Sequence, residues 1–139
     1  MVSQHPRHRE EPPEYLIPED ARHLISRTLD SVVMLEILLL FYHQPEREWL
    51  EREVAEELRI SYPRTQARLE SLAHSGLLSR TDTWPPAYRY YPATMELNAS
   101  VASLARSYAE HPENVGAFIE AKRSRSFWSL LEGFRFPRI

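Results

Sequence analysis

The chain has 139 residues, 42% of them apolar and 27% charged, with a formal net charge of −3 and no cysteine. That is room for one modest core, and it excludes a disulfide framework or a thiolate metal site. Seventeen cations against 20 acids also exclude the overall basic excess that marks many nucleic-acid binders, so any such role must come from local charge.

Residues 1–18 are polar and carry Pro6, Pro12, Pro13 and Pro18, which disfavour helix and read as a flexible N-terminal arm. The arm lacks the basic-then-apolar pattern of a signal sequence. Pro18, Glu19 and Asp20 suit the first turn of a helix, where a missing N–H costs nothing and acids complement the dipole. After a break near Asp30 or Ser31, "SVVMLEILLLFY" (Ser31–Tyr42) is apolar on nearly every face and predicts a helix buried all round. It is interrupted by Glu36 and falls short of the roughly 20 residues that cross a bilayer. No membrane contact is expected to be spanning, and the chain reads as cytoplasmic. Pro45 ends the helix.

The next helix turns Val54, Ala55 and Leu58 inward, with Glu51, Arg52, Glu53, Glu56 and Glu57 as its solvated face. Ser61 caps a further helix whose inward residues are Thr65, Leu69 and Leu72, and Gly76 stands where a left-handed C-terminal residue is wanted. "LLSRTDTWPPAYRYY" then reads as a β-hairpin, with Thr81–Thr83 strand-tolerant, "WPPA" at the tip and Tyr88, Tyr90 and Tyr91 on the return strand. Thr94 caps another helix, with Met95, Leu97, Val101, Leu104 and Tyr108 along one side. Shorter helical pieces rich in aromatics run to the C-terminus.

Two helices joined by "RIS" and followed by a hairpin have the order of a winged helix-turn-helix. The text "WLEREVAEELRISYPRTQARLESLAHSGLLSR", with "TDTWPPAYRYY", resembles the winged helix-turn-helix regulators of the MarR and ArsR kind. Ile60 and Ser61 open the recognition helix as in those families, and Gly76 and Leu77 lead into the wing. The resemblance implies a homodimer that binds double-stranded DNA, with the recognition helix in the major groove and the wing on the backbone. Carried over by position, Ser61, Tyr62, Pro63, Arg64, Gln66 and Ala67 face the groove, Arg68 borders it, and Arg80 and Arg89 hold phosphates. Leu50 departs from the pattern, standing where a Ser or Thr cap is common.

By helical angle, Arg64 and Gln66 lie on the flanks of the recognition helix and have the chemistry to pair with guanine and adenine; plain solvated surface is the alternative. Arg68 lies nearer the core edge. Ser61–Tyr91 carries a balance of +2, whereas Glu46–Ile60 carries −3. Lys122–Ile139 carries +4 and many aromatics, open to docking on the Ser31–Tyr42 helix, capture of a protein partner, or weak membrane-surface contact. A dimer interface is expected from Val33, Ile37, Leu40, Leu104, Phe127, Trp128 and Leu131. Six scattered histidines offer no metal site, and neither a nucleophile elbow nor a phosphate-cradling glycine loop occurs, so no cofactor and no enzyme is expected.

The expected fold is mainly α with a small β-hairpin wing. Residues 1–18 form the arm, 19–92 the winged helix-turn-helix domain, and 93–139 a C-terminal helical extension for dimerisation or partner docking. The expected function is DNA-binding transcription regulation. A winged-helix protein-interaction module that does not read DNA is the alternative.

Overall fold

A computed structural model describes the backbone of residues 16–134 and the side chains of residues 16–125. It is mainly helical, with one small antiparallel sheet. Six helices and three strands are described in the order α1 (Glu19–Thr28), α2 (Val32–His43), β1 (Trp49–Leu50), α3 (Glu51–Leu58), α4 (Tyr62–His74), β2 (Leu78–Arg80), β3 (Ala87–Tyr90), α5 (Met95–Glu110) and α6 (Pro112–Phe134). Most of the expected 1–18 arm lies outside the described residues. These divide into two compact units, one running to Ser31 and resuming at Ser103, the other Val32–Ala102. The division therefore falls within α5 and just before α2, where the sequence suggests boundaries after residues 18 and 92. Among the described residues no helix is long and apolar enough to cross a membrane.

In the first unit, Pro18 stands at the N-cap of α1, Glu19 and Asp20 occupy its first turn, and Ala21, Leu24 and Ile25 are its buried stripe. Its last carbonyls are taken by Lys122 of α6, whose ammonium donates to Ile25 O and Leu29 O at 2.7 Å each. This is the chain's sole lysine. Burial lowers its pKa from the ordinary value, and Asp30 opposes that shift. Two carbonyls at a helix end are the natural sink for such a cation.

The second unit is built on α2, which buries Met34, Leu35, Ile37, Leu38, Leu39 and Phe41, more than half its circumference. Strand β3 is the centre of the sheet, in the order β1-β3-β2. Trp49 pairs with Tyr88 and Leu50 with Ala87 on one side. On the other, Leu78 pairs with Tyr90 and Arg80 with Tyr88. The two-residue strand β1 is a third strand that the sequence pattern does not announce, since it is too short to alternate. Thr81–Thr83, expected to be strand-tolerant, build the turn instead: Thr81 Oγ1 accepts from the Ala87 N–H at 2.9 Å and lies 2.6 Å from Thr83 Oγ1.

Leu50 is the N-cap of helix α3; its side chain accepts nothing, but Glu53 reaches back to the Leu50 N–H at 2.9 Å and supplies half of a capping box. It ends at Arg59 in the left-handed region (φ 59°, ψ 48°). Gly76 follows α4 at φ +84°, as its position predicts, and a Cβ there would stand 3.2 Å from Ala93 Cβ. Thr94 caps α5 through Leu97 N–H at 3.0 Å. Met95 does not join the inward side of α5; it is exposed.

Candidate functional site

Helix α4 is entered through Ser61, whose extended backbone lets its carbonyl accept from both the N–H and the hydroxyl of Thr65, at 3.0 and 2.9 Å. Its hydroxyl accepts from the Arg64 N–H at 3.4 Å, and Pro63 sits in the first turn without loss of a bond. Thr65, Leu69 and Leu72 are fully buried, which fixes the rotation of the helix. Ser61, Tyr62, Pro63, Arg64 and Ala67 are consequently exposed, while Gln66 and Arg68 are half-buried. Arg68 Nη1 reaches the Arg64 carbonyl at 3.5 Å.

The two flanks of α4 differ. On one, Tyr62 and Gln66 converge on Glu51 at the start of α3. Glu51 Oε1 accepts from the Tyr62 hydroxyl at 2.8 Å and from Gln66 Nε2 at 3.2 Å. Its Oε2 accepts from the Tyr88 hydroxyl of β3 at 3.3 Å, and Arg80 Nε of β2 donates to that same hydroxyl at 3.1 Å. Glu51 is only 3% exposed, so its expected place on a solvated face is corrected. The spacing explains why: Glu51, Val54, Ala55 and Leu58 share one i, i+3, i+4, i+7 stripe, so Glu51 lies on the inward side. The four-element network joins α3, α4 and both hairpin strands.

Electrostatics follow the geometry. The hydrogen bond to Glu51 is the first cause that raises the Tyr62 pKa, since a donor to a carboxylate resists losing its proton. Burial raises that of Tyr88, with Arg80 pulling the other way.

The expected phosphate contacts are placed unevenly. Arg80 is exposed at the loop end of β2, paired with Tyr88, and Arg89 is half-buried in β3, paired with Ser79; neither lies in the loop at the tip. The tip, Asp82 to Pro85, presents no cation and leaves Trp84 84% exposed, so this indole packs on nothing in the described chain. A hollow of about 270 Å³ is bordered by Leu50, Glu51, Arg52, Glu53, Tyr62 and Pro85, the last of these next to Trp84 in the chain.

Of the expected dimer-interface residues, Val33 and Leu40 are half-buried, on one face of α2. Ile37 and Leu104 are fully buried within the single chain and offer a second copy no surface, because the helices around them already fill that space. The side chains of Phe127, Trp128 and Leu131 lie outside the described residues. Among the described residues no group of three His, Cys, Asp or Glu side chains converges to hold a metal. Comparison with protein-family models, curated proteins and solved structures gave no match to this chain.

Proposed function

We propose that the second unit is a winged helix-turn-helix and that the protein is a DNA-binding transcriptional regulator acting as a homodimer. In this reading α3 and α4 are the helix-turn-helix, α4 enters the major groove, and β2–β3 is the wing. The observation that carries it is the free outer face of α4. Pro63, Arg64 and Ala67 are exposed in its first two turns, the part of such a helix that reaches base edges. Arg64 has the fork that recognises guanine, Arg68 follows it on the same flank, and Arg80 adds an exposed positive charge at the hairpin edge beyond Tyr88. Val33 and Leu40, half-buried on one face of α2, are the surface left for a second copy.

The exposed Trp84 favours a second reading, a protein-interaction module, because an indole left in water is the kind of side chain that protein contacts bury. A mobility-shift titration separates the two. DNA binding predicts that the wild type shifts random duplex at low salt and that Arg64→Ala combined with Arg68→Ala loses the shift. A shift unaffected by that pair refutes the assignment of α4.

A further inference from the structure

The two flanks of α4 cannot serve a duplex equally. With Thr65 inward, Arg64 and Gln66 diverge by about 100° to either side. Tyr62, Gln66 and Glu70 make one i, i+4 row; Arg64 and Arg68 make another. The first row faces the buried carboxylate of Glu51, and Glu70 stands close enough to Tyr88 to oppose its ionisation. A phosphate brought to that side meets the carboxylates of Glu51 and Glu70. Arg80 beside Tyr88 and Arg52 near Tyr62 offset them only in part, because Glu51 holds its donors inward. On the other side it meets two arginines.

Gln66 is also chemically committed. Pairing with adenine needs the amide oxygen and nitrogen turned outward together. That motion breaks the 3.2 Å bond to Glu51 and leaves a buried carboxylate short of a donor. The bond given up is charge-assisted and of the same order as the adenine pairing that would replace it, so the exchange yields no net discrimination.

We infer that Glu51 is a specificity-determining positioning residue. Its carboxylate latches Tyr62 and Gln66 away from the duplex and ties the start of α4 to the Tyr88–Arg80 edge of the hairpin. Base reading then falls to Arg64 on the opposite flank. The inference rests on the DNA-binding reading and assigns the reader within it, reversing the sequence expectation for Gln66.

The test has arms with and without DNA. Selection from random duplex DNA is expected to return the same base preference for wild type and Gln66→Ala. Arg64→Ala is expected to lose roughly 5- to 150-fold discrimination at one base position of each half-site. A preference altered by Gln66→Ala overturns the inference, as does one unaltered by Arg64→Ala. Without DNA, Tyr62 followed by NMR pH titration should ionise above free tyrosine in the wild type and move down in Glu51→Gln; an unmoved titration overturns the latch. A wild-type readout covers the case in which that variant fails to fold. The Gln66 side-chain amide should exchange with solvent more slowly than that of the exposed Gln44, and equal rates overturn the latch. If the wild type binds no duplex at any salt, the DNA reading and the Arg64 assignment fall together. The tyrosine and amide measurements then decide the latch by themselves.

Discussion

Removing the Glu51 carboxylate tests which of its three hydrogen bonds sustains the fold. The shortest, to Tyr62, ends on an exposed side chain, and Gln66 is half-buried, so water replaces the lost acceptor at little cost for the first and partial cost for the second. Tyr88 is fully buried, and although its bond is the longest at 3.3 Å, its proton has no other acceptor in the network; Arg80 is only a donor to it. An orphaned buried donor costs about 1–3 kcal/mol, whereas an exposed pair is worth about 0–1. Glu51→Ala should therefore lower stability by about 2–3 kcal/mol, including lost packing. In double-mutant cycles by urea unfolding, coupling of Glu51 with Tyr88→Phe should be about 1–2 kcal/mol and coupling with Tyr62→Phe below about 0.5. Equal couplings, or a larger one with Tyr62, refute the reasoning that burial rather than distance decides the contribution.

Gly76→Ala should destabilise by about 1–2 kcal/mol, from the left-handed backbone and the 3.2 Å approach to Ala93 Cβ, read as a lower urea midpoint with unchanged slope. Tyr90 donates to Asn98 at 2.8 Å, and burial first, then Tyr42, raises its pKa to about 12. Its folded state thus keeps a proton that the unfolded chain releases near 10. Stability should be intact below pH 10 and the Tyr90 contribution should fall by on the order of 2 kcal/mol between pH 10 and 12, so that the alkaline loss is smaller in Tyr90→Phe by that amount. Lys122→Met, which deprives Leu29 O and Ile25 O of their ammonium, should cost about 1–3 kcal/mol by thermal unfolding; Lys122→Arg should restore only part, since a planar fork does not fit a site shaped for a point charge.

Local rules made much of this fold legible. The Ser61 cap, the inward set Thr65, Leu69 and Leu72, the Gly76 terminus and the Thr94 cap each follow from a residue's own backbone or side-chain chemistry. Strand β1 was not legible, because two residues carry no period and their pairing with β3 is decided by tertiary contact. Met95 fails for a different reason: at 100° per residue it lies about 160° from Leu97 and about 180° from Leu104, opposite their stripe, and it is exposed. In the candidate site, exposure of Pro63, Arg64 and Ala67 could be read from helical angle alone. The engagement of Gln66 could not, since it depends on a carboxylate 15 residues away. Glu51 was readable in principle, but charge suggested a solvated face where spacing with Val54 and Ala55 pointed inward.

Salt-dependent binding to duplex DNA tests the central claim most directly. Fluorescence anisotropy with labelled random duplex should show affinity falling as salt rises, with a log–log slope of about −4 if Arg68 and Arg80 of two protomers each meet a phosphate. Arg68→Ala should make that slope shallower by about 2 per dimer. Affinity absent at low salt, or indifferent to salt, contradicts the account.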